Sequence, residues 1–155
     1  MSPSNPVTVD ESFQGRVYPV GPAVSVTADA VRAFARAVRA GHPAHHDAEA
    51  ARALGHADVV APPTFAVVLA QRADAQFVQD PAAGVDFSRV VHGEQTFTHH
   101  RPIVAGDEVV AQLHVDRVRV VAGNAMVTTR SELRTAAGEP VCTAVSTLVV
   151  RGADS

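Results

Sequence analysis

The chain has 155 residues, 46% apolar and 19% charged, which fits one globular domain with a sizeable core. A formal charge of -3 with no basic run leaves no nucleic-acid footprint, and no stretch approaches the roughly 18 uninterrupted apolar residues of a membrane span. The single cysteine, Cys142, forbids an internal disulfide and suits a reducing, cytoplasmic setting; in a Val/Thr-rich segment it reads as a buried, inert thiol.

Residues 1–12 are polar and read as a loose terminus, and the first 22 carry Pro, Asp and Glu without the apolar run of a signal peptide. The domain is expected over 13–151, with 152–155 as a tail. Between Val17 and Val26 the residues Pro19, Gly21 and Pro22 restrict any strand to a short or edge position. Thr27 is an N-cap, with Asp29 in the first turn. Val31, Phe34, Ala35 and Val38 then fall at i, i+3, i+4 and i+7, opposite Arg32, Arg36 and Arg39, so an amphipathic helix follows until Gly41 and Pro43.

Residues 47–54 read as a second short helix closed by Gly55. After the Pro62-Pro63 corner, Thr64 reads as the cap of a helix running to about Gln79. The first half of that helix is apolar on every side and so must be enclosed. Its second half, with Arg72, Asp74, Gln76 and Gln79, is expected to emerge toward solvent, and Asp74 reads as a surface charge.

Strands are expected over 89–100, 108–121, 125–135 and 141–151, separated by turns at Gly106, Gly123-Asn124 and Gly138. In the second of these the apolar phase shifts after Val115, which predicts a bulge near Asp116. The last strand is small or apolar on both faces, as a central strand is. Helices followed by an antiparallel run give an α+β domain, one sheet wrapped around one long helix.

Three histidines crowd the stretch after the first helix: His42, His45 and His46. Their spacing would converge on a metal in a regular helix, but Pro43 argues against one, so no metal is expected; no motif points to a cofactor. Downstream stand Pro63-Thr64-Phe65 at the helix start and His92-Gly93-Glu94-Gln95 at the first long strand. His92 fits either a substrate contact or a strand-end hydrogen bond.

These motifs, with Arg101-Pro102 and Ala105-Gly106-Asp107, resemble the amino-terminal branch of the MaoC-like hydratase/dehydratase family, which includes the dehydratase of type I fatty-acid synthases and the non-catalytic subunit of mycolic-type dehydratases. The resemblance covers residues 13–151 and implies a single hot-dog domain, an antiparallel sheet around one central helix, that handles acyl thioesters on coenzyme A or an acyl carrier protein. Pro43, His45 and Asp47 match the Pro, His and final Asp of the family's hydratase signature. Ala40 stands at its catalytic aspartate and His42 at its asparagine. The resemblance therefore implies a base at His45 without its acid partner: either His42, His46 or Asp47 takes over, or this chain has lost the chemistry. A dehydratase needs an α-proton base, an acid for the departing hydroxyl, and donors at the thioester oxygen.

The resemblance further implies that Thr64, Phe65 and Val68 hold the acyl group, with His92 and Gly93 at the same mouth. The chain would be one half of a hot-dog dimer, homo- or heteromeric, beside a catalytic MaoC-like subunit. Three alternatives stay open: a self-sufficient homodimeric dehydratase using His45, a thioesterase using Asp74, and a non-catalytic acyl-binding or scaffolding protein.

Overall fold

The structure, a computed structural model, describes residues 9–152; the rest of the expected loose terminus and of the tail lies outside the described residues. The element order is β1 (Val24–Ser25), α1 (Ala28–Ala37), α2 (Ala48–Ala53), α3 (Ala66–Val78), β2 (Val90–His99), β3 (Glu108–Val121), β4 (Asn124–Thr135) and β5 (Pro140–Val150). All five strands form one antiparallel sheet in the order β1-β3-β4-β5-β2. This is the α+β hot-dog arrangement expected from the sequence, with the sheet curled against α3.

Local chemistry accounts for the elements. The Thr27 hydroxyl accepts from the Ala30 amide at 3.1 Å, and the Asp47 carboxylate from the Glu49 amide at 3.0 Å, so each short helix starts where its cap stands. Strand β1 is only two residues long and lies on the sheet edge beside β3, as the prolines before it require. The register of β3 against β4 slips between Val115 and Arg117, which is the bulge expected at Asp116. Strand β5 lies between β4 and β2, and its fully buried Val141, Cys142 and Ala144 reflect that interior position.

One face of the sheet packs on α3 in two apolar groups. Phe65, Ala66 and Leu69 meet Val109, Ile103, Leu133 and Cys142 at one end. At the other, Ala73 and Phe77 meet Leu113, Val115, Val127 and Leu148. Burial along α3 therefore runs its whole length, and its second half does not emerge as expected: Ala73, Asp74 and Phe77 are buried, while Gln71 and Arg72 face out. A helix crossing a curved sheet keeps one stripe covered from end to end.

Strand β2 is the free edge beyond β5, and most of its residues are exposed. Among the described residues no helix is long and apolar enough to cross a membrane.

Candidate functional site

The histidine stretch after α1 is held by hydrogen bonds to its own backbone. Arg39 takes a left-handed conformation (φ 58) and turns the chain back, so that the Ala40 amide donates to the Ala35 carbonyl at 2.8 Å. Pro43 then opens a tight single turn over Pro43–His45 instead of a regular helix, and the His42 Nδ1 accepts from the Ala44 amide at 3.1 Å. The His46 Nε2 donates to the Ala40 carbonyl at 2.8 Å.

His45 is half-buried, and its Nδ1 lies 2.6 Å from the Val60 carbonyl oxygen. A carbonyl can only accept, so Nδ1 carries the hydrogen, and in the neutral ring Nε2 keeps its lone pair. The residue thus has the tautomer a general base needs.

The surrounding cleft, about 490 Å³, is lined by His45, His56, Pro62, Pro63, His99 and Arg101, among others. No carboxylate is among its lining residues. Arg101 is engaged elsewhere: its guanidinium binds Asp107 through two contacts of 2.9 and 3.1 Å, and Glu139 lies 3.0 Å from its Nε. The Ala40 position offers only a methyl group, and its carbonyl is taken by His46. Among the described residues this cleft therefore presents an imidazole with no carboxylic acid beside it, its other titratable lining being His56, His99, His100 and Arg101. His42 holds a backbone amide through Nδ1 and is exposed, with its ring centroid 6.0 Å from that of His45.

The structure places the other expected residues apart from one another. Thr64 does not cap α3: Pro63–Phe65 forms a tight turn before the helix, Thr64 lies exposed inside it, and no side chain caps the start of α3. The two prolines fix their φ angles and bring the chain round one turn early, with the Phe65 amide bonded to the Pro62 carbonyl at 2.9 Å. Phe65 is buried edge-on against Phe34, 5.4 Å between centroids, and Val68 is half-buried against the same core. His92 and Gly93 lie toward the far end of α3. At the near end of β2 the His99 Nε2 donates to the Pro63 carbonyl at 2.9 Å, while His92 faces the second half of the helix.

A second cleft, about 310 Å³, opens there between α3 and β2, lined among others by Asp74, Val78, Phe87, Val90, His92 and Leu148. Asp74 is not the surface charge expected: it is only 7% exposed. Its Oδ1 accepts from the Thr129 hydroxyl at 2.7 Å, and among the described residues no donor reaches Oδ2. Burial raises its carboxyl above the ordinary carboxylate range, more than the Thr129 bond and the charge of nearby His92 lower it.

His92 reaches this face through a bulge. Gln95 pairs with Ser146 and His92 with Leu148, and both partners point toward α3; the register slips between His92 and Glu94, at Gly93. In an unbroken strand His92 and Gln95, three positions apart, would lie on opposite faces. A Cβ on Gly93 would meet the Thr147 carbonyl oxygen at 3.4 Å, so contact alone does not demand glycine there.

Thr129 and Ser146 pair directly across β4 and β5, and the Ser146 hydroxyl donates to the Gln95 amide oxygen. A polar seam, with buried Ser131 beside it on β4, thus crosses a largely apolar face. The sequence reading missed Thr129, Ser146 and Gln95; the available signal was polar residues at the inward-facing parity of strands otherwise filled by Val, Leu and Ala. Among the described residues no three His, Cys, Asp or Glu side chains converge as metal ligands do.

Residues 12–144 match the family described as "FAS1-like, dehydratase domain region". A UPF0336 protein of Saccharopolyspora erythraea is 54% identical over 144 residues, 93% of this chain and 92% of that protein. Among solved structures, the HadBC (3R-hydroxyacyl-ACP dehydratase) complex of Mycobacterium tuberculosis superposes with a TM-score of 0.79 at 34% identity, over 88% of this chain and 96% of that one. A MaoC-like dehydratase superposes with a TM-score of 0.82 at 36% identity, over 93% of this chain but 44% of that one.

Proposed function

Because the chain belongs to the FAS1-like dehydratase-domain family of MaoC-like hot-dog proteins, we propose that it is the acyl-holding subunit of a (3R)-hydroxyacyl-thioester dehydratase or enoyl hydratase. It works beside a catalytic hot-dog partner, on a thioester of an acyl carrier protein or coenzyme A. The observation that carries this reading is the His45 cleft, which has a correctly turned imidazole but no carboxylate among its lining residues. Dehydration without a placed proton donor loses a factor of about 10²–10⁴. Ala40 supplies none, so the catalytic acid–base pair comes from the second subunit.

Two further features support a heteromeric arrangement. The edge strand β2 is ten residues long and, among the described residues, unpaired on its outer side, a geometry that folds of this kind cover with another strand. The similarity to one chain of a two-component dehydratase, and to less than half of a longer dehydratase, suits one half of a paired unit.

In this reading the site residues divide into two groups. His45 and the Pro62-Pro63 corner, which Thr64 follows in the chain, border the cleft that meets the thioester head. His92 and Gly93, with Val68 and Phe65 behind them, shape the edge against which the partner and the acyl chain lie.

The test is turnover of a 3-hydroxyacyl and a trans-2-enoyl thioester by the purified chain, alone and with a catalytic MaoC-like subunit. The expected result is no turnover alone, and activity with the partner that exceeds or redirects that of the partner by itself. Turnover by this chain alone overturns the proposal in favour of a homodimeric dehydratase using His45. A second reading, a hot-dog thioesterase, gains from the burial of Asp74 in a cleft, and the same assay reads it as release of free thiol.

A further inference from the structure

We propose that the cleft between α3 and β2 is a subsite for a hydroxylated acyl chain, in which Asp74 Oδ2 and the His92 ring hold a hydroxyl while Val78, Phe87, Val90 and Leu148 cover the hydrocarbon. The inference rests on the acyl-holding role just argued and names the kind of chain this subunit selects.

A carboxyl group removed from water needs hydrogen-bond partners, or it destabilises the fold. Asp74 has one, Thr129, at 2.7 Å, and that bond holds Oδ1. The side chain is thereby fixed with Oδ2 left toward the cleft. No cation forms an ion pair with it among the described residues. A structural carboxylate would have such a partner, whereas this group is positioned and left half-satisfied.

The opposite wall supports the same conclusion. The bulge at Gly93 turns His92 toward the helix, where its charge acts on Asp74. Bulges re-aim side chains in this way beside functional sites. Carboxyl and imidazole can each donate or accept according to protonation, so the group that satisfies both at once is one that also donates and accepts. A hydroxyl does so and a carbonyl does not. Apart from Gln71 and Gln79 on the solvent-facing side of α3, the remaining lining is aliphatic or aromatic, Ala75, Val78, Phe87, Val90 and Leu148, which fits a hydrocarbon chain. The cleft also opens at the β2 edge, where a partner subunit would lie, so a chain held in that partner's active site has a short path into it.

The experiment is calorimetric binding of three N-acetylcysteamine thioesters to the full-length chain: octanoyl, (R)-3-hydroxyoctanoyl and 8-hydroxyoctanoyl. At least one hydroxylated probe is expected to bind about tenfold more tightly than octanoyl, the size of one hydrogen bond to an acidic group. The double variant Asp74→Leu with Thr129→Val removes both polar partners together and is expected to abolish that preference while keeping octanoyl affinity. His92→Phe, on the exposed strand, is expected to reduce it independently and guards against misfolding of the buried variant.

Equal affinity of the wild type for all three probes overturns the subsite but leaves the acyl-holding role standing. Binding of none overturns both. Retention of the preference in both variants overturns the assignment to these residues. Release of thiol from octanoyl thioester that depends on Asp74 overturns the subsite in favour of hydrolysis.

Discussion

The Nδ1 of His45 sits 2.6 Å from the carbonyl oxygen of Val60, whose own amide donates to the Ala44 carbonyl at 3.0 Å. The two residues thus tie the histidine turn to the segment that leads into the Pro62-Pro63 corner, and the tie fixes the imidazole tautomer. If the partner supplies acid and base, His45→Ala leaves turnover of the two-subunit complex within about threefold. It removes one ordinary hydrogen bond, about 1 kcal/mol, and lowers the midpoint of thermal unfolding by roughly 2–4 °C. Steady-state kinetics beside calorimetry checks this; a hundredfold loss of turnover would instead place His45 in the chemistry.

Asp74 contributes a pH dependence to stability. Its folded-state pKa is raised, chiefly by burial, so between its unfolded and folded values the native state binds more protons than the unfolded one. The stability it contributes is complete below the ordinary carboxylate value and is lost as pH rises through the folded value. Asp74→Asn keeps an acceptor for Thr129 without a charge to desolvate. The variant is expected to unfold at a higher temperature than wild type near neutral pH and to lose that advantage at acid pH. Unfolding midpoints across a pH series give the sign directly.

Asp107 is the anchor of the Arg101 corner. Its carboxylate receives the Arg101 guanidinium twice and the Val104 amide at 2.9 Å. Removing it leaves a partly buried guanidinium and an amide without their acceptor. Asp107→Ala is expected to destabilise the fold by about 2–3 kcal/mol, as hydrogen bonds to a charged group do. Urea unfolding with an unchanged slope measures it.

The β2 edge gives a binding prediction. Phe87, in the turn that leads into β2, is 76% exposed and Val91, at the start of that edge strand, 47% exposed. Phe87→Glu combined with Val91→Arg is expected to weaken association with the hot-dog partner more than tenfold. The unfolding midpoint of the isolated chain should move little, since surface substitutions stay within about 0.5 kcal/mol. Sedimentation of the two purified subunits reads the difference.

Cys142 is fully buried, and burial pushes its thiol up to about 11. A thiol so far from its thiolate does not react with a disulfide reagent in the native state. One equivalent should react only on unfolding, followed by the absorbance of the released aromatic thiol.

Much of the fold was legible because its signals are local. Thr27 and Asp47 cap the helices they precede, and the phase shift after Val115 marks a real bulge. The strand expected over 108–121 is Glu108–Val121. The candidate site was legible only in part. His45 could be found from its motif, and the absence of its acid partner from Ala40. Thr64 was misplaced because two consecutive prolines bring the turn forward, which capping rules for ordinary helices do not anticipate. Asp74 was misread because its neighbours Arg72 and Gln76 are polar, although α3 turns only one of its faces to the sheet.

By itself, then, the sequence determined the order of the elements and most of their bounds, the start of α3 excepted, together with the family resemblance and the gap at Ala40, since each follows from residues close together in the chain. Only tertiary structure decided that Asp74 is enclosed, that Thr129 from β4 holds it, and that the Gly93 bulge faces His92 toward it. Those facts depend on which strand lies beneath which turn of α3 and on a one-residue slip in register. Thr129 stands 55 positions from Asp74, a separation at which no local pattern carries information.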